Sequence, residues 1–136
     1  MAWLLDTNVL SEMRKGGAAD DKVRAWAAGT LKDRHFISVL SIGEIRKGIE
    51  ILRRKSPARC PAFERWLTQL QTDYDSAILP ISEEVAERWG HLTAARTLPV
   101  LDGLIAATAS AYGLTVVTRN SKDFATSGVK TINPFE

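Results

Sequence analysis

Short apolar segments alternate with longer helical segments along this chain, and this alternation constrains the fold more than any other feature. Short apolar strands separated by helices are typical of a parallel sheet that helices cover on both faces. The helical segments dominate by length. We therefore predict an α/β protein: a helix-rich, three-layer α/β/α sandwich built around a short parallel sheet.

The segments can be placed from hydrophobic periodicity and from turn residues. The predicted strands are Trp3–Leu5, Phe36–Val39, Ala77–Leu79, Thr115–Thr118 and, at an edge, Val129–Ile132. The predicted helices are Thr7–Lys15, Asp20–Ala28, a helix that opens at Ser41 and includes Leu52, one around Phe63–Leu70, one that starts at Ser82, and Asp102–Tyr112. No segment resembles an interdomain linker, so we expect one domain over residues 1–136.

Composition excludes several classes of protein. Apolar residues make up 45% and charged residues 25% of the chain, as in ordinary globular proteins. The lone Cys60 excludes an intrachain disulfide and favours a cytoplasmic location. No signal peptide is visible, and Asp102 within the longest apolar stretch argues against a membrane span. The formal charge of +2 does not by itself indicate nucleic-acid binding.

Acidic residues follow the predicted strands. Asp6 comes directly after the first strand, Glu44 lies in the first turn after the second, and Asp123 lies in the turn after Thr115–Thr118. Sites in open α/β sheets form beyond the carboxyl ends of the strands. We therefore expect these three side chains at the same edge of the sheet.

Asp102 reaches the same edge by a different route. The helix Asp102–Tyr112 connects through two residues to the strand at Thr115, so helix and strand are antiparallel neighbours. The helix spans about 16 Å, which is comparable to the length of the strand. Asp102 is therefore predicted to lie beside the carboxyl end of that strand, and all four acids converge.

Each acid alone also has an ordinary structural interpretation at a helix terminus. Asp6 could cap the first helix, Ser41 and Glu44 could form a capping box, Asp102 could cap its own helix, and Asp123, in a turn that Ser121 caps, could complement a helix dipole. Four carboxylates at one edge, however, repel one another and need a counter-charge, which a bound cation supplies.

The remaining residues indicate which cation this is. His35 and His91 have no partner at metal-ligand spacing, and Cys60 has no second cysteine, which argues against zinc. Oxygen ligands favour Mg²⁺ or Mn²⁺, held by a few carboxylates and by waters. Thr7 and Asn8 could orient the ligands from behind.

Four motifs resemble those of PIN-domain toxins of the VapC type, with the FitB-like subgroup the most similar. They are Leu4-Leu5-Asp6-Thr7-Asn8-Val9-Leu10-Ser11-Glu12, Ser41-Ile42-Gly43-Glu44-Ile45-Arg46-Lys47-Gly48, Leu98–Ala109 around Asp102, and Thr118-Arg119-Asn120-Ser121-Lys122-Asp123-Phe124. The ending Ile132-Asn133-Pro134-Phe135-Glu136 is also similar, so the resemblance covers residues 3 to 136.

The resemblance implies a PIN-like fold and an Mg²⁺-dependent ribonuclease, the toxin of a type II toxin–antitoxin pair. By position, Asp6, Glu44 and Asp102 match the family's metal-binding acids. Many members carry an aspartate where Asn120 stands, so Asn120 and Asp123 both remain candidates for the fourth position. The resemblance also implies a homodimer and an antitoxin that blocks the site and provides the contact with DNA.

Two other functions remain consistent with the sequence. The chain could be a PIN-like module that only binds a partner, although acids at positions 6, 44 and 102 argue against this. It could also cut single-stranded DNA, because carboxylate-held metal chemistry does not require a 2′-hydroxyl. Arg119, beside Thr118 at the end of the strand, is a candidate for contact with a backbone phosphate.

Overall fold

The computed structural model describes residues 1–136, which form five strands, six α-helices and four short 3₁₀ helices. The strands are β1 (Ala2–Leu5), β2 (Arg34–Ser38), β3 (Ile78–Leu79), β4 (Thr115–Val117) and β5 (Thr131–Ile132). The α-helices are α1 (Thr7–Met13), α2 (Asp21–Gly29), α3 (Val39–Lys55), α4 (Cys60–Asp73), α5 (Glu83–Ala95) and α6 (Val100–Tyr112). The 3₁₀ helices are Gly16–Ala18, Pro57–Arg59, Asp75–Ala77 and Ser121–Ser127.

The five strands form one sheet in the order β3-β2-β1-β4-β5, and all neighbouring strands are parallel. The chain builds outward from β1 through β2 to β3 and then crosses to the other side of β1 to form β4 and β5. The direction of winding therefore reverses between β1 and β4. Such a switch point leaves a crevice at the carboxyl ends of the two strands, where α/β proteins bind ligands.

Two hydrophobic cores lie on opposite faces of the sheet, which confirms the predicted three-layer architecture. Successive side chains of a strand point to opposite faces, so Leu5 belongs to one core and Leu4 to the other. The first core includes Val9 of α1, Ile45 and Ile49 of α3, and Leu67 and Leu70 of α4. The second includes Ile105, Ala106 and Ala109 of α6, with Phe124 from the segment after β4.

Helix α6 is almost entirely apolar because it is buried under α5 and against the sheet. Gly113 follows it with φ of 66°, a left-handed conformation that glycine adopts without steric cost. The chain then turns directly into β4, so α6 and β4 run antiparallel, as the short connection predicted.

Several predicted boundaries shift by a few residues. Helix α3 begins at Val39 rather than Ser41, because the Ser38 hydroxyl accepts a hydrogen bond from the Leu40 N–H and caps the helix earlier. Helix α6 begins at Val100, with Pro99 at its N-cap. Strand β5 keeps only the last two residues of the predicted Val129–Ile132. No helix is both long and apolar enough to cross a membrane.

Candidate active site

A pocket of about 330 Å³ opens beyond the carboxyl ends of β1 and β4. Its lining residues come from the β1–α1 junction, α1, α3, α6 and the segment after β4, and they are Asp6, Thr7, Asn8, Ser11, Glu44, Leu101, Asp102, Ile105 and Asn120. The pocket brings together Asp6, Glu44 and Asp102, as the strand-end argument predicted. No lysine or arginine is among the lining residues, so the pocket is strongly acidic.

Asp6 is the most firmly held of these acids. It is only 8% exposed, and it caps α1, because its Oδ1 accepts a hydrogen bond of 2.8 Å from the Thr7 N–H. The fully buried Thr118 hydroxyl donates to Asp6 Oδ2 at 2.9 Å. Burial raises the pKa of the Asp6 carboxyl, and the bonds from Thr118 and Thr7 offset part of that rise.

Glu44 is oriented by a residue of α1. The Thr7 hydroxyl lies 2.7 Å from Glu44 Oε1 and 2.9 Å from the Ser41 hydroxyl. Ser41 lies inside α3 and is fully buried, so the capping box proposed for Ser41 and Glu44 is wrong. Sequence reasoning missed this contact of Ser41, although its spacing of three residues from Glu44 places both on one helix face.

Asp102 lies in the first turn of α6 but does not cap it, so that alternative is also wrong. Burial raises the pKa of the Asp102 carboxyl, and the negative charges of Asp6, Asp123 and Glu44 raise it further. No cause acts in the opposite direction. The Asp102 carboxylate therefore experiences the uncompensated negative charge of the pocket.

Polar residues behind the acids form a connected network. The Asn8 amide donates to the Thr118 hydroxyl at 3.3 Å and to Asp6 Oδ2 at 3.4 Å. The Asn8 carbonyl oxygen accepts from the Arg119 N–H, and the Asn120 N–H donates to the Thr118 hydroxyl. Asn8 and Thr118 thus join the ends of β1 and β4 at the switch point.

Asn120 lines the pocket, whereas Asp123 does not. Asp123 is exposed in the 3₁₀ helix Ser121–Ser127, and its N–H donates to the Asn120 carbonyl. The expected cap by Ser121 is wrong, because Asn120 occupies the N-cap position and no side chain caps this end. Asp123 acts on the pocket through its charge, since it contributes to the raised pKa of Asp102.

Arg119 is exposed beside the pocket and is held from two sides. Its N–H donates to Asn8, and its carbonyl accepts from the Asn133 amide. The guanidinium stacks on the Phe135 ring, 3.8 Å from the ring centroid, and it forms no salt bridge, although its charge is among the causes that lower the pKa of Glu12. The C-terminal residues thus position a cation near the acidic edge.

A second, more apolar cavity of about 270 Å³ adjoins the acidic pocket and shares Thr7, Ser11 and Glu44 with it. We call it the α3–α4 groove. Its remaining lining residues are Ile45, Gly48, Ile49, Leu52, Arg59, Phe63 and Trp66. An apolar groove that leads into an acidic pocket suits an amphipathic segment that ends in a basic side chain.

The donor set of the acidic pocket fits a hard cation, because all of its ligating side chains offer oxygen. No group of three acidic, histidine or cysteine side chains is placed to hold one ion together. An ion in this pocket would therefore take one or two carboxylates directly and complete its coordination with water. Mg²⁺ is usually bound in this way.

Comparison with known proteins places the chain in a family. The PIN domain family model matches residues 3–127. Toxin FitB of Neisseria gonorrhoeae is 30% identical over 137 residues, covering 97% of each chain. VapC ribonuclease Y4jK of Sinorhizobium fredii is 30% identical over 139 residues, covering 98% of this chain and 97% of the relative.

The solved structure of FitAcB from Neisseria gonorrhoeae is similar over 98% of this chain and 99% of that one, with 30% identity and a TM-score of 0.86. The overall fold of this chain is therefore shared with that structure. The chain belongs to the PIN-domain family. Within that family it groups with the FitB and VapC toxins.

Proposed function

We propose that this protein is a divalent-metal-dependent endoribonuclease and the toxin of a type II toxin–antitoxin pair. The observation that carries the proposal is the convergence of Asp6, Glu44 and Asp102, from three different elements, on one pocket without a basic lining residue. The kinship with a VapC ribonuclease and with Toxin FitB supports RNA as the substrate and a toxic role. We further propose that residues 1–136 act as one domain in the cytoplasm.

We assign Asp6, Glu44 and Asp102 to the binding of Mg²⁺, with Mn²⁺ as a substitute; one or two of them would bind the ion directly and the others through its waters. When bound, the metal would activate water for attack on the phosphodiester and neutralise charge on the phosphate oxygens. Asp6 offers a pre-positioned carboxylate, because Thr118 and the Thr7 N–H hold both of its oxygens. Thr7 directs Glu44 toward the pocket, and Asn8 fixes the Asp6–Thr118 pair.

Arg119 is the proposed contact for the RNA backbone. Its guanidinium remains free to bind a phosphate, because it rests on an aromatic ring rather than on a carboxylate. Phe135 holds the side chain in place and so reduces the entropy lost when phosphate binds. A cation at this position would offset the repulsion between an acidic pocket and a polyanionic substrate.

The direct test is a cleavage assay on RNA and on single-stranded DNA of the same sequence, with Mg²⁺, with Mn²⁺ and with EDTA. We expect RNA to be cut when either metal is present and to remain intact in EDTA. Cleavage of DNA alone would favour the single-stranded DNA nuclease. Absence of cleavage of both, in protein that binds Mn²⁺, would favour the non-catalytic interaction module.

The role of Asp123 as a fourth acidic residue of the site can be tested by removing its charge. We expect Asp123→Asn to weaken Mg²⁺ affinity about tenfold, the lower end of the range for residues that do not bind the metal directly. Asn120→Ala, which removes a lining side chain, should affect cleavage more than metal affinity. Both are measured by titrating Mg²⁺ against the cleavage rate.

The control for Asp123→Asn is Asp75→Asn, which removes an exposed charge next to the amino end of β3, at the opposite edge of the sheet. Its Mg²⁺ dependence should equal that of the wild type. An unchanged Mg²⁺ dependence in Asp123→Asn itself would leave a site with three carboxylates only.

The α3–α4 groove is the proposed docking site of the antitoxin. An amphipathic helix could bury its apolar face against Ile49, Phe63 and Trp66 and direct a basic residue at Glu44. Such a partner would neutralise the acidic pocket and exclude RNA from it. DNA would then be contacted through the antitoxin and not by this chain.

Substitutions at two glycines of α3 can distinguish an effect on antitoxin binding from an effect on helix stability. An added Cβ would meet no atom within 4 Å at either Gly43 or Gly48, but only Gly48 lines the groove. We expect Gly43→Leu and Gly48→Leu each to stabilise the fold by about 0.5–1 kcal/mol, because glycine disfavours a helix interior. Only Gly48→Leu should weaken antitoxin binding, by about tenfold or more.

Thermal unfolding measures the first effect, and calorimetric titration with the purified antitoxin measures the second. Equal affinity for the two variants would place the antitoxin elsewhere. Light scattering at micromolar concentration tests the homodimer that we also propose, and a monomer under these conditions would contradict it.

A further inference from the structure

Ser41 is a fully buried polar residue that the proposed chemistry does not yet use. It lies in α3, three residues before Glu44, so both side chains project from one face of the helix. The only hydrogen-bond contact of its hydroxyl is with the Thr7 hydroxyl of α1, at 2.9 Å. A serine within a helix can instead bond back to the carbonyl four residues earlier in its own helix.

The number of available protons determines which of the two hydroxyls, Ser41 or Thr7, donates the hydrogen bond between them. A hydroxyl carries one proton and can accept two further hydrogen bonds. Thr7 lies 2.7 Å from Glu44 Oε1, and an ionised carboxylate can only accept, so the single Thr7 proton is given to Glu44. The proton between Thr7 and Ser41 must therefore come from Ser41. The chain of donors runs from Ser41 to Thr7 to Glu44.

We propose that Ser41 is a positioning residue for Glu44 and that it acts through Thr7. The inference rests on the proposed metal site, because it concerns the orientation of one of that site's carboxylates. By donating to Thr7, Ser41 fixes the rotation of the Thr7 hydroxyl so that its proton points at Glu44. A chain of hydrogen bonds also polarises its members and strengthens the last bond.

Without Ser41, the Thr7 proton has no fixed direction and Glu44, a long and partly exposed side chain, loses its orientation. Because Glu44 must be aligned before it can bind a cation, the loss of its orientation weakens metal binding. Substitution of a residue that orients a metal ligand through hydrogen bonds commonly lowers metal affinity by about 10- to 100-fold.

The test is Mn²⁺ binding to the full-length protein without RNA, followed by electron paramagnetic resonance or calorimetry. Four proteins are compared: wild type, Ser41→Ala, Thr7→Val and the double variant. We expect each single variant to bind Mn²⁺ about tenfold more weakly. The double variant should bind no more weakly than Thr7→Val, because Ser41 has no route to Glu44 once Thr7 is gone.

Ser38→Ala is the matched control. It makes the same substitution at another fully buried serine next to α3, and it removes the helix cap instead of the chain to Glu44. Ser38→Ala should lower the melting temperature and leave Mn²⁺ affinity unchanged. Should Ser41→Ala fail to fold, Ser41→Cys keeps a group of similar shape with a weak donor and should also reduce Mn²⁺ affinity.

The outcomes separate this proposal from the function on which it rests. Wild-type protein that does not bind Mn²⁺ at millimolar concentration would overturn the metal site and, with it, the role of Ser41. Wild-type protein that binds Mn²⁺, together with unchanged affinity in Ser41→Ala, would overturn the role of Ser41 alone. Additive losses in the double variant would also overturn it, because they would show that Ser41 does not act through Thr7.

Discussion

Asp6→Asn is expected to reduce RNA cleavage more than about 100-fold, beyond the range seen for residues that only support metal ligands. Asp6 is the carboxylate that the fold holds most firmly, with hydrogen bonds from Thr118 and from the Thr7 N–H. The amide keeps the shape of the side chain but removes the negative charge that a divalent cation requires. The measurement is the cleavage rate at saturating Mg²⁺.

The same substitution should leave the metal-free fold as stable as the wild type or more stable. Asparagine caps helices as well as aspartate does, so Oδ1 can still accept from the Thr7 N–H, whereas the amide nitrogen in place of Oδ2 cannot accept the bond from Thr118. Burial raises the pKa of Asp6, which means that the ionised form costs stability at neutral pH, and the amide removes this cost. Unfolding of Asp6→Asn in thermal denaturation would instead show that Asp6 serves mainly the fold.

Divalent metal is expected to stabilise the protein by about 2.7 kcal/mol at a concentration one hundred times the Kd. For a chain of this length the gain corresponds to a rise of roughly 10 °C in melting temperature. Binding stabilises because it relieves the repulsion among Asp6, Glu44 and Asp102. Differential scanning calorimetry with Mg²⁺, with Mn²⁺ and with EDTA measures it, and an unchanged melting temperature would contradict the metal site.

The pH dependence of stability in EDTA provides an independent check. The pKa of Asp102 is raised above its ordinary value of 3.8, so its stabilising contribution is complete below that value and is lost as the pH rises through the folded-state pKa. Asp102→Asn should therefore be more stable than the wild type at pH 7, and the difference should vanish near pH 4. Asp75→Asn, which removes an exposed charge away from the pocket, serves as the control.

Much of the fold could be predicted because its causes lie close together in the sequence. The alternation of apolar strands with amphipathic helices indicates a parallel sheet, and the two-residue turn between α6 and β4 determines that they run antiparallel. From these local facts, Asp6, Glu44 and Asp102 could be assigned to one edge. Boundaries were less certain, because Ser38 and Ser41 are equally good caps until it is known where β2 ends and α3 begins.

The arrangement of the site was decided by contacts between residues that are distant in sequence. The hydrogen bond between Thr118 and Asp6 joins residues 112 positions apart, and that between Thr7 and Ser41 joins residues 34 positions apart. No local sequence pattern therefore predicts either pair. Asn120 and Asp123 are only three residues apart, about one turn of a 3₁₀ helix. Which of them lines the pocket therefore depends on how that turn packs against the rest of the protein.

The sequence by itself thus determined the class of fold and the edge at which Asp6, Glu44 and Asp102 gather, because periodicity and residue chemistry are properties of short segments. The hard cation that their oxygen donors favour stays a prediction. Only the tertiary structure decided which hydroxyl orients which carboxylate, that Asp123 stands outside the pocket, and that an apolar groove adjoins it. These features depend on the distances between elements, which follow from how the two cores pack against the sheet.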